Sequence, residues 1–263
     1  MKHTKIAIIG GGNLGQSILK GLLSKEKYLP KNITITKRNI DELSVFEKSG
    51  VNGTTDNALA VAHSDVIILA LKPYTVLSVL DEIFPQLDPN KHELVSLASG
   101  VSLEQLNEAI QNKVPVYRAM PNTASNVGES MTCIATNTKT INPQIEDCFQ
   151  SIGSTILIEE DLMDAATVLG ACGIAYALRF IRSMVQGGIQ IGFDSKTASK
   201  IANQTVKGAA AMLIKEGNHP EFEIDKVTTP TGCTIAGLNE MEHNGFSSAL
   251  IKGIVTSHKE IDS

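Results

Sequence analysis

The sequence predicts an α/β fold, with a doubly wound sheet in the N-terminal region followed by an all-helical C-terminal domain. Three observations carry this expectation. From Lys5 to about Ile158, short runs rich in Val and Ile alternate with longer amphipathic segments. The runs are continuously apolar rather than alternating, which is the pattern of strands covered on both faces. After Asp161 the strand signals stop and only helical periodicity remains. Two domains are therefore expected, residues 1–159 and residues 160–263.

Taken in order, the strand candidates are "KIAIIG", "ITITKR", "DVIILALK", "ELVSLAS", "VPVYRAM", "TCIAT" and "STILI". Four helices should follow: "DLMDAATVLGACGIAYALRFIRSMVQGG", "DSKTASKIANQTVKGAAAMLIKEG", "GCTIAGLNEMEHNG" and "FSSALIKGIVTSHKEID". Asp161 is the expected cap of the first, and Asn244-Gly245 the expected end of the third. The first is interrupted by Asp164, Arg179 and Arg182 and is rich in Gly and Ala, which suits close helix packing better than a bilayer. Over residues 162–185 it is also too apolar to face water, so a dimer built through the C-terminal helices is expected.

Bulk properties narrow the function. The chain has 263 residues, 42% of them hydrophobic and 19% charged, an ordinary globular composition. A net charge of −5 argues against a nucleic-acid backbone as partner. Cys133, Cys148, Cys172 and Cys233 form no CxxC and no close pair, so no disulfide frame or metal site is suggested and a reducing cytoplasm fits best. The N-terminal apolar run is too short for a secretory leader.

Gly10, Gly11, Gly12, Asn13, Leu14 and Gly15 fit GxGxxG, and context makes the match informative. The motif follows the first strand and opens "NLGQSILKGLL", where Leu14, Ile18 and Leu22 share one helical face. In a Rossmann unit Gly10 would make the tight turn, Gly12 would let a pyrophosphate approach the backbone, and Gly15 would let helix and strand pack closely. At the end of the second strand, where an NAD enzyme usually places a carboxylate, stand Lys37 and Arg38, with no acidic residue before Asp41. That pair suits a 2′-phosphate, so NADPH is expected with NADH as the alternative; solvated side chains at a strand end are the plain reading. Ala70, Leu71, Lys72 and Pro73, then Ala98, Ser99 and Gly100, then Met120, Pro121 and Asn122, lie where strand ends should meet the cofactor. Helix capping or a strand stop would explain parts of these segments equally. Asn57 joins the cofactor candidates.

The helical half offers no conventional catalytic group. Its histidines and those of the first half are scattered, without HExxH or a defensible Ser-His-Asp order. Hydride transfer to an electrophilic C=N bond suits such a site, because the cofactor supplies the difficult step and the protein supplies position. "TTPTGCTIAGL" at 228–238 is the odd segment: Pro230, Gly232 and hydroxyls stand directly before an apolar helical run. The amides of Cys233, Thr234 and Ile235 would open that helix without internal partners and attract an anion; an ordinary cap by Thr231 or Thr234 is the alternative.

Together, "IGGGNLGQSI", "VIILALKP", "LVSLASGVSLEQL", "RAMPNT", "EEDLMDAATVL" and "HPEFEIDKVTTPTGCTIAGL" make the chain resemble the pyrroline-5-carboxylate reductases over nearly its whole length. The resemblance implies a Rossmann domain, a helical domain forming an intertwined homodimer, with rings of dimers common, and NAD(P)H-dependent reduction of L-1-pyrroline-5-carboxylate to L-proline. It also implies that the substrate carboxylate sits on the amides near Gly232, Cys233 and Thr234. The Thr234 hydroxyl would hold the ring nitrogen, and Glu160 would line the site. Two departures stand out. Gly170-Ala171-Cys172-Gly173-Ile174-Ala175-Tyr176 replaces the family's usual Ser-Gly-Ser-Gly-Pro-Ala-Tyr. Thr229-Pro230-Thr231-Gly232-Cys233-Thr234 replaces Ser-Pro-Gly-Gly-Thr-Thr. Two rivals remain open: a β-hydroxyacid dehydrogenase, which would need a catalytic lysine such as Lys196, Lys200 or Lys207, and a non-catalytic NADP-binding regulator.

Overall fold

The structure is a computed structural model that describes residues 4–24, 28–39, 42, 44–138 and 140–261. Eight strands form one sheet: β1 (Ile6–Ile9), β2 (Ile33–Thr36), β3 (Asn52–Thr54), β4 (Val66–Leu69), β5 (Glu93–Ser96), β6 (Val116–Met120), β7 (Ser130–Thr136) and β8 (Gly153–Leu157). Their spatial order is β3-β2-β1-β4-β5-β6-β7-β8. Every neighbouring pair is parallel except β6 and β7, which run antiparallel. Crossover helices α1 (Asn13–Ser24), α2 (Ser44–Glu47), α3 (Asn57–Ala62), α4 (Pro73–Ile83), α5 (Leu103–Ala109) and α6 (Pro143–Gln150) connect the strands.

Unbroken apolarity in the strands has a direct structural cause. Successive side chains point to opposite faces, so Ile6 and Ile8 enter one core cluster with Ile33, Ile35, Val66 and Ile68. Ala7 and Ile9 enter the other, with Ile67 and Leu69. Each fully buried Ile or Leu contributes about 1.5–3 kcal/mol relative to an exposed one, and both faces of this sheet collect it.

Two elements differ from the sequence expectation. Asn52-Gly53-Thr54 carries no large apolar side chain, yet it pairs with β2 through Thr34, Ile35 and Thr36 and becomes an edge strand. The expected fifth strand, "VPVYRAM", is consequently the sixth. Asp161 does not cap a helix. It lies inside a short 3-10 turn, Glu160–Leu162, and α7 (Met163–Ala166) starts after it with no side-chain cap. A π-helical turn, Thr167–Cys172, follows before α8 (Gly173–Gln190). Thus the first C-terminal helix is interrupted even without the family's proline.

The first compact unit extends to Cys172 and the second begins at Gly173, later than the expected division at 159/160. Met163 explains part of this, being buried in the core cluster that contains Ala7 and Ile9. The second unit holds α8, α9 (Ser195–Glu216), α10 (Pro220–Val227), α11 (Cys233–His243) and α12 (Phe246–Ile261). Asp194 caps α9 by accepting from the amides of Lys196 and Thr197, at 2.9 and 3.0 Å. α10 was not among the expected helices, since its eight residues are too few to show a period; Pro220 opens it and the His219 Nδ1 accepts from Glu221 N. Asn244 and Gly245 end α11 as expected, Gly245 with φ +78°.

This unit buries little of itself. Its core cluster has three buried members, Val185, Ala198 and Ala202. Gly188 allows α8 to approach α9 so closely that a Cβ there would lie 3.1 Å from Ala198 Cβ. Meanwhile Leu178, Ile191 and Ile214 are 60%, 78% and 83% exposed. The helical stretch Glu160–Gln190 is long and apolar enough to cross a bilayer by length and composition, and 11% of its most apolar window is buried.

Candidate active site

At the carboxyl ends of β1, β2 and β4 lies a cavity of about 690 Å³. Its floor is the glycine turn. Thr36 locks that turn to the second strand: its carbonyl accepts from Gly11 N at 2.6 Å and its hydroxyl from Gly10 N at 3.2 Å. The three motif glycines are needed for different reasons. A Cβ on Gly10, whose φ is +110°, would meet Ala70 O at 2.4 Å, and one on Gly15 would meet Gly10 O at 2.1 Å. Packing within the protein therefore excludes any side chain at both. At Gly12, however, a Cβ would touch nothing within 4 Å. No protein contact demands a glycine there, so its smallness serves what approaches from the cavity, as a pyrophosphate would over the opening turn of α1.

The predicted cofactor residues divide into three groups. Gly10, Gly12, Lys37, Arg38, Asn57, Ala70, Leu71 and Lys72 line this cavity. Asn13, Leu14 and Gly15 form the first turn of α1, and Pro73 opens α4 behind the Lys72 wall. Ala98, Ser99, Gly100, Met120, Pro121 and Asn122 follow β5 and β6 and are not among its lining residues. Lys37 is ion-paired with Glu42, whereas Arg38 is exposed with no ion pair among the described residues. Asn57 donates through Nδ2 to Glu82 Oε2 at 3.1 Å. Sequence reasoning missed one wall. Thr75, Ser78, Val79 and Glu82 on α4 also face the cavity, and their i, i+3, i+4, i+7 spacing is the signal that could have found them.

Glu160 and Asn122 are held by the protein itself. Glu160 Oε1 accepts from Arg118 Nη1 at 2.8 Å and from Leu103 N at 2.6 Å, tying the turn before α7 to β6 and to the start of α5. Asn122 uses its Oδ1 for Ala124 N and its Nδ2 for Gly170 O, both at 3.0 Å. The carbonyl it reaches belongs to the π-helical turn, where the ordinary helical ladder is displaced.

The corner at 228–232 lies in the second unit. Gly232 N donates to Thr229 O at 2.9 Å, closing a turn through Pro230 and Thr231. A Cβ at Gly232 would stand 2.6 Å from Thr229 Oγ1 and 3.0 Å from Thr229 O, so a side chain there would force the Thr229 hydroxyl to move. Gly232 is the N-cap of α11, and no side chain caps the helix. Neither Thr231 nor Thr234 acts as the cap, and Thr231 instead donates its hydroxyl to Pro230 O at 2.6 Å. Cys233 and Thr234 are both exposed. On α10, which precedes the corner in sequence, Glu223 accepts from Lys226 Nζ at 2.9 Å and Asn218 Nδ2 at 2.7 Å, and these donors hold its carboxyl below the usual range.

A family model described as pyrroline-5-carboxylate reductase dimerisation matches residues 160–263. Another, described as NADP oxidoreductase coenzyme F420-dependent, matches residues 5–100. Pyrroline-5-carboxylate reductase 2 of Dictyostelium discoideum is 40% identical to the chain, the match covering 98% of the chain and 92% of that protein. The chain belongs to the pyrroline-5-carboxylate reductase family. Pyrroline-5-carboxylate reductase 1 of the same organism is 43% identical over 96% of the chain but 48% of its own length, so the chain spans about half of that relative. Among solved structures, the Plasmodium falciparum pyrroline carboxylate reductase with NADP bound is similar at TM-score 0.86 and 26% identity, over 99% of this chain and 98% of that one.

Within this family, the departure at 229–234 has a measurable backbone consequence. Where the family usually has glycine, Thr231 adopts φ +59°, the left-handed region that a β-branched residue rarely enters. The other departure begins in the π-helical turn, where Gly170 offers its carbonyl to Asn122, and runs into the first turn of α8.

Proposed function

We propose that the chain reduces the C=N bond of L-1-pyrroline-5-carboxylate to give L-proline, using NADPH in preference to NADH. The observation that carries this reading is the opening of α11, a helix N-terminus with no side-chain cap and with Cys233 and Thr234 exposed, entered through a tight turn that Gly232 closes on Thr229 O. A substrate carboxylate supplies the missing acceptor for the amides of Cys233 and Thr234, while the expected third amide, that of Gly232, is already held by Thr229 O. The Thr234 hydroxyl hydrogen-bonds to the ring nitrogen and keeps the imine in one orientation. Threonine is far too weak an acid to protonate it, so the nitrogen's proton comes from solvent or arrives with the substrate.

The residues of the cavity fit a dinucleotide. Gly12 admits the pyrophosphate, α1 offers its positive end, and Arg38, aided by Lys37, faces the 2′-phosphate. When bound, the reduced nicotinamide supplies the hydride. Ala98, Ser99, Gly100, Met120, Pro121 and Asn122 border its ring, and Glu160, fixed to Arg118, shapes the substrate side.

The apolar faces of α8, α9 and α12 support a homodimer through the C-terminal helices, since a monomer would leave them in water. Four free cysteines suit a reducing, cytoplasmic setting. Lys196, Lys200 and Lys207 are exposed along α9, which gives no support to a lysine-dependent dehydrogenase. The test is oxidation of NADPH by purified protein with and without pyrroline-5-carboxylate. Consumption that depends on the imine is expected. No turnover at saturating levels of both would overturn the reading in favour of a non-catalytic NADP-binding protein.

A further inference from the structure

The second strand divides its side chains between two faces. Ile33 and Ile35 of β2 enter the core cluster on one face of the sheet, while Thr34 and Thr36 point to the other, the face covered by α3. Thr36 fastens the glycine turn of the cofactor cavity. Thr34 lines a second cavity of about 400 Å³, which shares no lining residue with the first. Ligand sites are commonly about 300–1,000 Å³, so the space suits a small metabolite.

This cavity owes its existence to the short edge strand. Asn52, Gly53 and Thr54 of β3 bring no large apolar side chain, so the layer between them and α3 is not filled as the rest of that face is. Its rim is cationic. Lys5 before β1, Lys31 in the 3-10 turn Pro30–Asn32 and His63 after α3 all line it, and among the described residues no carboxylate does. Neither lysine ammonium has a hydrogen bond or ion pair among the described residues. Two carboxylates on the neighbouring segments are taken by backbone amides: Asp65 accepts from Lys5 N and Asp56 from Leu59 N, each at 2.8 Å. Asn52 Nδ2 donates to Lys31 O at 2.9 Å, which fixes the turn carrying Lys31 against the edge strand.

A chain of net charge −5 thus gathers two uncompensated ammonium groups and an imidazole around one concavity. We propose that this cavity is a second, non-catalytic site for a small dianionic metabolite, a phosphate ester or a dicarboxylate. Its charges are drawn to Lys5 and Lys31, its body lies against Leu59 and Ala60, and Thr34 and Asn52 supply polar partners.

Isothermal titration of glycerol 3-phosphate and of succinate into the purified protein, with and without saturating NADPH, tests the site. At least one probe should bind with a Kd of about 1 mM or tighter in both conditions, and added NaCl should weaken it. Replacing both lysines, Lys5→Ala with Lys31→Ala, should weaken binding about 10-fold or more, while NADPH affinity and Tm stay at their wild-type values. A response to glycerol 3-phosphate alone assigns a phosphate ester, one to succinate alone a dicarboxylate, and one to both a site that reads charge. Three results overturn the proposal. Neither probe binds at about 10 mM; or NADPH abolishes binding, which puts the probe in the cofactor cavity; or the double variant binds as wild type does, which puts it elsewhere, as on the opening of α11. Imine-dependent NADPH oxidation is read separately, so the reductase reading survives any of the three.

Discussion

The first unit completes its own core and the second does not. The sheet buries apolar side chains on both faces within one chain, in two large clusters, whereas the helices from Gly173 onward bury three hydrophobic residues together. Both regions are rich in Ile, and although the helical one has fewer Leu and Val, composition does not by itself explain why its apolar side chains stay exposed. The difference is architectural. A doubly wound sheet brings its own covering helices, one per crossover, while five helices in sequence must find another apolar surface for the faces they leave open. The first unit therefore buries both faces of its own sheet, whereas the second, which matches the dimerisation family model, leaves exposed the helix faces on which the proposed homodimer would form.

The largest effect should come from attacking that incompleteness. Leu178→Glu places a charge on an exposed apolar face of α8, and it should shift the protein toward its single-chain mass of 28.1 kDa in light scattering, with loss of activity. An active wild-type protein of that mass would break the contrast between the units. Next in size is a change at the corner that should spare assembly. Thr234→Ala should lower turnover about 10- to 1000-fold, the range for one positioned hydrogen bond, while Cys233→Ala stays largely active. The reverse pattern in steady-state kinetics would replace imine reduction with a thiol-dependent chemistry.

In the first unit, Arg38→Ala should weaken NADPH more than NADH by about 1–3 kcal/mol, the worth of a charge-assisted bond to phosphate. Equal losses in paired titrations would remove Arg38 from phosphate recognition. The smallest effect concerns backbone strain. Thr231→Gly should relieve a left-handed threonine at about 1–2 kcal/mol and give back part of that through the freedom of glycine in the unfolded chain. A net rise in stability of up to about 1 kcal/mol is expected, read as a small increase in Tm. A clear decrease would mean that the Thr231 hydroxyl bond to Pro230 O outweighs the strain.

Much of the fold was legible because it depends on local pattern. Continuous apolar runs marked the strands, and the glycine spacing together with its neighbours marked the cofactor turn. Short elements escaped. The edge strand β3 has no apolar signature and exists because β2 offers it hydrogen bonds, and α10 is too brief to display a period. Asp161 is a good cap by type, but the chain was already turning in a 3-10 segment tied down by Glu160 to Arg118 and Leu103.

The candidate site divides along the same line. Residue type and order by themselves determined which glycines must stay small, that a basic pair ends the second strand, and that a helix opens after Gly232. These are consequences of local geometry, which the chain carries wherever it goes. Tertiary structure decided the rest. It paired Lys37 with Glu42 and kept Arg38 exposed, brought Glu82 from α4 onto Asn57 of α3, and gave Asn122 a carbonyl in a π-helical turn to hold. Those partners are separated by 5, 25 and 48 residues along the chain, and beyond one helical turn the meeting of two side chains depends on how the intervening elements pack.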